Sequence, residues 1–453
     1  MAIIGLEIVD AALVAVRDDL RLAASPGVAL IDPQGLLVGE PAAAAMRLRP
    51  VLAVDRFWTD LAADAMVPAA AMPISYADLA YAQLSQLWSS IARPDDQAVL
   101  ALPGTMRPTQ TGLLLGIANT LAMPVAGIVD SAVAACAGLP ARATVLHLDI
   151  HLHQAVLTEM QGGGLLRRGR VEVSARVGLK TLHGAWAQLV SEAMVRRTRF
   201  DPLHRAESEQ QLHERLPGWL QVLATQDAVD ASIETGTNSF TVTLRSEQFA
   251  LAADAYYAQL VDLIQAARRA GSPATLALSS RAALLPALQD RLAALPELEL
   301  VTLPDTAPAA AAAARVDEIG PGDPPMLVTA LTRSRPAAAA AAKGARRPLL
   351  APPTHLILES RAHAIDEQPL VLGAGDDAAP AAGRRLVLSG RPAGVSRSHC
   401  TLLRRDRIVI VRDHSRYGSF VNGERVDGEA ELGAGDRLRL GTPGVVLELV
   451  AVA

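Results

Sequence analysis

Val395-Ser-Arg-Ser-His-Cys400, Arg412-Asp-His-Ser-Arg-Tyr-Gly-Ser-Phe-Val-Asn-Gly423 and Gly435-Asp-Arg-Leu-Arg-Leu-Gly441 decide the fold of the C-terminal part. They lie in a region, His355 to Ala453, built of short alternating apolar runs separated by glycine turns. A period of two sends every other side chain to one face, and glycine supplies the turn conformations that join such strands. The region therefore reads as an all-β sandwich.

The same segments resemble a forkhead-associated (FHA) domain, a reader of phosphothreonine, and the resemblance covers residues 354–453. Ser396-Arg-Ser-His399 is similar to the family's Ser-x-x-His loop, Asp413-x-Ser415 and Gly418-Ser-Phe-Val-Asn-Gly423 to the next two, and Gly435–Gly441 to the closing Gly-Asp-x-Ile-x-Leu-Gly run. The resemblance implies phosphopeptide binding by Ser396, Arg397, Arg416, Tyr417 and Asn422, with His399 holding the loop from inside. The chemistry is sound, because a phosphate dianion favours a hydroxyl and a guanidinium presented on a rigid loop. There are two departures. The family's arginine after the second strand falls at Ala374, with Arg384, Arg385 and Arg391 as nearby replacements, and the family's Thr-Asn pair is Arg416-Tyr417.

Upstream, residues 321–353 contain Pro-Gly-Asp-Pro-Pro, an alanine run and Lys-Gly-Ala-Arg-Arg-Pro, the composition of a tether. Residues 1–320 alternate strands and helices, which implies α/β layers. Ile3 to Val9, Ala11 to Val16 and Val28 to Ile31 are three apolar runs that read as an opening meander. Gln97–Leu102, Val125–Val129, Val145–Ile150, Ala155–Thr158, Ala274–Leu278 and Leu298–Thr302 read as further strands. Tyr76–Ile91, Thr109–Leu121, Lys180–Arg199, Ser246–Ala270 and Leu284–Leu295 read as helices. No internal repeat is visible.

Ile4-Gly-Leu-Glu-Ile8, Val38-Gly-Glu-Pro-Ala42, Ala101-Leu-Pro103, Ile128-Val-Asp-Ser-Ala-Val-Ala-Ala135, Leu148-Asp-Ile150 and Arg199-Phe-Asp-Pro202 carry a second resemblance. In order and spacing they are similar to the actin-like ATPase superfamily, closest to the nucleotide-binding domain of the seventy-kilodalton heat-shock chaperones. The resemblance implies an α/β two-lobed actin-like domain over 1–320. In that family glycine-rich hairpins bring backbone N–H groups against the nucleotide phosphates. Here Glu7-Ile-Val-Asp-Ala-Ala12 has no glycine or hydroxyl, Ile150-His-Leu-His-Gln154 is bulky, and Ser279-Ser280 stands where a glycine pair is expected. No lysine precedes Lys180. Glu7, Asp149, Ser279 and Ser280 therefore form a degenerate nucleotide site, with ATP and Mg not expected as cofactors, and the lobe reads as a pseudo-ATPase rather than an enzyme.

His147, Asp149, His151 and His153 are spaced by two and on one strand would share a face, which offers an alternative metal site. A hairpin turn over Ile150–His153 is the plainer reading, and no metal is assigned. Gly-x-Ser-x-Gly, Cys-x-x-Cys and Walker-type motifs are absent.

Composition bounds the rest. The chain has 453 residues, enough for two or three domains, and is 50% hydrophobic but only 3% aromatic, so its cores are aliphatic. A net charge of −5 argues against general nucleic-acid binding. Two distant cysteines, Cys136 and Cys400, fit a reducing, cytoplasmic compartment. Met1–Asp10 lacks the basic region of a secretory signal. The uncharged run Pro108–Val129 is interrupted by Gln110, Asn119 and Pro124 and divides into a helix and a strand, so no membrane span is expected. The expectation is an adaptor or scaffold that recruits a phosphothreonine protein supplied by a serine/threonine kinase system. An active chaperone-like ATPase under FHA control, or a phosphate-independent scaffold, are the alternatives.

Overall fold

A computed structural model describes residues 2–32, 35–64, 66–67, 73–139, 144–268, 273–320, 322, 325–333, 353–358, 361–366, 368–375, 383–388, 394–405, 408–421, 424–426, 428–441 and 444–451. The chain divides into two compact units, Met1–Ala338 and Ala339–Ala453.

The first unit holds two six-stranded sheets whose five principal strands follow one order. In the first sheet, Ile3–Val9, Ala12–Arg17 and Leu20–Ser25 form an antiparallel meander, and Gln97–Leu102 and Val125–Asp130 add parallel to Ile3–Val9. In the second, Thr144–Ile150, Ala155–Gln161 and Leu165–Ser174 form the meander, and Ala274–Leu278 and Leu298–Thr302 add parallel to Thr144–Ile150. This duplication leaves no trace as an internal repeat of residues. The third strand of the opening meander is Leu20–Ser25, not the run at Val28–Ile31. Ala29–Asp32 belongs instead to a small separate sheet with Gly35–Val38 and Ala53–Val54.

The helix after each last strand packs inward. Ser131–Cys136 is capped by Asp130, whose carboxylate accepts from Val133 N–H at 3.1 Å. Ala307–Ala314 lies so close to the first strand that a Cβ on Gly5 would sit 1.8 Å from Ala309 O. Small residues are what allow that approach. Ala132, Ala134, Ala137, Ala277 and Ala312 line the shared interior with Val99, Val145 and Met160. The high alanine and low aromatic content thus has a packing role here.

The expected tether does not begin at Pro321. Leu327–Val328 adds parallel to Val125–Asp130, and Ala330–Thr332 pairs with Leu165–Arg167, so one short segment closes an edge of each sheet. Other boundaries also differ. Ser246–Ala252 and Asp254–Ala267 are two helices, as are Ser280–Ala283 and Leu288–Ala293, and the helix Ala206–Leu223 and hairpin Ala228–Thr235/Asn238–Arg245 complete the second half. No helix among the described residues is long and apolar enough to cross a membrane.

The second unit is a sandwich of a six-stranded and a five-stranded sheet. Its core is aliphatic, with Leu356, Leu372, Leu402, Val411, Leu438, Leu440 and Leu447 all buried.

Candidate functional site

The sandwich brings three loops together at one end. His399, fully buried, is the staple: Ser396 N–H donates to its Nδ1 at 3.0 Å, and its Nε2 pairs with Gly418 O at 3.1 Å. An acceptor Nδ1 requires the proton on Nε2, so the ring is neutral and bridges two loops. Burial pulls its pKa below the usual histidine value, against the opposing pull of the Gly418 carbonyl. The third loop closes through Gly441, whose N–H donates to Gly418 O at 2.9 Å. Gly441 has φ +82°, and a Cβ there would meet Gly394 O at 1.8 Å, so both backbone and contact require glycine.

Ser396 sits at the junction. Its Oγ accepts from Arg416 N–H at 3.2 Å, which leaves the hydroxyl proton free to donate outward. Arg397, Arg416 and Tyr417 are exposed, Tyr417 by 54%. Neither guanidinium has a partner among the described residues. Asp413 orders the loop behind them by accepting from Ser415 N–H at 3.2 Å and Ser419 Oγ at 2.8 Å. Burial pushes its carboxyl up, but these hydrogen bonds outweigh it and hold the pKa below the usual value. Asn422 lies outside the described residues.

At Ala374 the side chain offers no charge, and the strand end serves the loop with backbone instead. Ala374 N–H donates to Ser396 O at 3.0 Å and Gly375 N–H to Arg397 O at 3.1 Å. Arg385 braces the same turn, donating to Gly375 O at 3.2 Å, Arg397 O at 3.3 Å and Ser398 Oγ at 2.9 Å. Its guanidinium is therefore turned into the loop. Arg384 is engaged elsewhere, with Ala364 O and Asp366, and Arg391 lies outside the described residues.

A family model for the FHA domain matches residues 381–441, the span that includes all three loops. The C-terminal unit thus carries an FHA domain, a module class that binds phosphorylated proteins. No curated protein matches the chain.

The second constellation lies where the two sheets of the first unit face each other. Glu7 and Asp149 are both buried and are joined by Arg281: its Nη2 is 2.8 Å from Glu7 Oε1 and 2.7 Å from Asp149 Oδ2, and its Nε is 3.0 Å from Asp149 Oδ1. Burial raises the Glu7 pKa despite Arg281. For Asp149 burial acts the same way, but Arg281 and His151 overcome it and hold the carboxyl well below the usual range. Ser279 is spent as a helix cap, its Oγ accepting from Ala282 N–H at 3.2 Å, and Ser280 opens that helix.

The four-residue metal alternative is not assembled. His147 and Asp149 lie on Thr144–Ile150, but the chain turns at 151–154, which breaks the alternation. His151 Nε2 lies 3.3 Å from Asp149, whereas His153 turns to Asp55 at 3.3 Å, and Lys180 reaches the other oxygen of Asp55 at 2.6 Å. Among the described residues no group of three or more His, Cys, Asp or Glu side chains converges as metal ligands. Arg281 and Asp10 were not assigned a role from sequence. The only local signals were Arg281's place directly after Ser279-Ser280 and Asp10's place at the end of the first strand.

Proposed function

We propose that this chain is an adaptor that recruits a phosphothreonine-containing protein through its FHA domain. The observation that carries the reading is Ser396: its hydroxyl, next to Arg397 in the chain, accepts from the Arg416 backbone N–H on loops pinned by His399, with its proton free. That is a charge-assisted donor set suited to a phosphate dianion. Arg416 supplies the guanidinium that Ala374 lacks, and the exposed Tyr417 beside it contacts the peptide. The partner is a substrate of a serine/threonine kinase system in the cytoplasm. Screening a phosphothreonine peptide array with the full chain tests the reading. It predicts binding that disappears on phosphatase treatment, and binding that is indifferent to phosphatase sinks it in favour of a phosphate-independent scaffold.

The first unit, on this proposal, is a non-catalytic body of actin-like, two-lobed fold that docks a partner. The repeated strand order of its two sheets supports that likeness, and the missing glycine hairpins support a pseudo-ATPase. The rival reading, an ATPase under FHA control, requires Mg-ATP binding and turnover that depends on Asp149. Calorimetry with Mg-ATP separates the two.

A further inference from the structure

Five ionisable side chains follow one another across the floor of the cleft in the first unit: Glu7, Arg281, Asp149, His151 and Asp10. Glu7 and Asp10 come from the first sheet, and Asp149, His151 and Arg281 from the second and the helix after it. His151 Nδ1 is 3.9 Å from Asp10 Oδ1, so acidic and basic groups alternate from Glu7 to Asp10. The backbone takes part as well. Leu152 N–H, at the tip of the second hairpin, donates to Asp10 Oδ1 at 2.8 Å, while Thr59 Oγ1 donates to Asp10 Oδ2 at 2.7 Å. The other side of that hairpin is also occupied, since His151 O and Leu152 O accept from Leu179 and Lys180 N–H at 2.9 and 3.0 Å.

We infer that Arg281 and Asp10 are the cleft's own cation and anion, a built-in ligand pair that clamps the two sheets together and engages the polar groups a divalent cation at Glu7 and Asp149, or an anion at the Leu152 N–H, would otherwise meet. A carboxylate pair that could bind a divalent cation is already bridged by a guanidinium. A hairpin N–H that could meet an anion is already gripped by a carboxylate. The space on the Glu7 side agrees, whereas a cavity of about 250 Å³ bordered by Asp10, Thr59, Arg107 and His151 stays open on the Asp10 side. The cavity lined by Glu7, His147, Asp149 and Arg281 has a volume of about 10 Å³, room for one water and not for a hydrated ion. Glu7 Oε2 and His147 Nε2 have no hydrogen-bond partner among the described residues, and since both residues border that space, one bridging water suits them. This inference rests on the reading of the first unit as a degenerate nucleotide-binding fold and is independent of phosphopeptide binding.

Thermal unfolding and hydrogen exchange of the full chain test it, with Mn²⁺ as the cation probe and Mg-ADP as the metal–phosphate probe. The wild-type melting temperature is expected to be indifferent to both. Arg281→Met leaves two buried carboxylates uncompensated, so melting of the first unit should fall by roughly 5–10 °C, and millimolar Mn²⁺ should restore part of that loss. Should Arg281→Met fail to fold, Asp10→Asn gives an independent readout, with the Leu152 amide exchanging at least tenfold faster. The neutral triple variant Glu7→Gln/Asp149→Asn/Arg281→Met should recover most of the stability lost by the single change. Wild-type protein stabilised by Mn²⁺ or Mg-ADP would overturn the inference. So would an Arg281→Met chain that melts like wild type, or an Asp10→Asn chain with unchanged exchange at Leu152.

Discussion

The loop end of the FHA sandwich and the cleft floor of the first unit are both built at strand ends from donors and acceptors that converge. They differ in what is left over. At the FHA loops, buried His399 and half-buried Asp413 spend their groups on ordering the loops, and half-buried Ser396 and exposed Arg397 and Arg416 keep donors free. At the cleft floor Arg281 and Asp10 engage most of the donors and acceptors internally, and the two left over, Glu7 Oε2 and His147 Nε2, belong to residues that border a space of only about 10 Å³. Binding capacity is therefore judged by unspent hydrogen-bonding groups and not by how many charged residues gather. Two buried carboxylates look like a cation site in sequence and cease to be one once a guanidinium sits between them.

The largest effect on that comparison is expected from the staple. His399→Ala removes a buried ring with two hydrogen bonds, should cost the sandwich roughly 2–4 kcal/mol, and should abolish phosphopeptide binding. Chemical denaturation and a binding titration on one preparation check both. A stable, fully binding variant would show that the loops hold themselves. Next comes Arg416→Ala, expected to weaken phosphopeptide binding about tenfold by removing one charge-assisted contact. Arg385→Ala should act less strongly, since it loosens the turn without touching phosphate. Affinities of the two variants that come out in reverse order would move the phosphate site toward Arg385.

Two buried histidines give the units opposite pH responses. His399 has its pKa lowered, so its contribution is present above the unfolded value of 6.5 and is lost as pH falls through the lower folded value. For His151 burial lowers the pKa, but the hydrogen bond to Asp149 and the charges of Asp149 and Asp10 outweigh it and raise the net value. Its contribution is present below 6.5 and is lost as pH rises through the higher folded value. Differences in unfolding free energy between wild type and His151→Asn should therefore shrink with rising pH, and those for His399→Asn should shrink with falling pH. Parallel trends would contradict the assigned charge states. The smallest effect belongs to Asp55→Asn. Although burial opposes it, hydrogen bonds from His153 and Lys180 hold the Asp55 carboxyl at about 2. Lys180 is 47% exposed, so the loss should stay within about 1 kcal/mol.

What the sequence made legible follows the range of the interactions. Ser396, His399 and Gly418 lie close along the chain and carry local turn and strand chemistry, so the sandwich and its loop could be read directly. The strands of the first unit were legible from apolar runs, but their common order in two sheets was not, because order depends on pairing between distant segments. Pro321 marked a change in composition, yet Leu327–Thr332 pairs with strands more than a hundred residues away and stays with the first unit. Arg281 reaches Asp149 across 132 positions and Glu7 across 274. Nothing near Arg281 in the chain announces either partner. Gly373 was equally silent: only the fold shows that a Cβ there would meet Arg397 O at 1.9 Å.

The central claim, a phosphate reader centred on Ser396, is tested most directly by titrating one phosphothreonine peptide, and its unphosphorylated twin, into the full chain and into Ser396→Ala. The account predicts saturable binding of the phosphorylated peptide alone, weakened at least tenfold by the substitution while the melting temperature holds. Equal binding of both peptides, or an affinity that Ser396→Ala leaves unchanged, would contradict it.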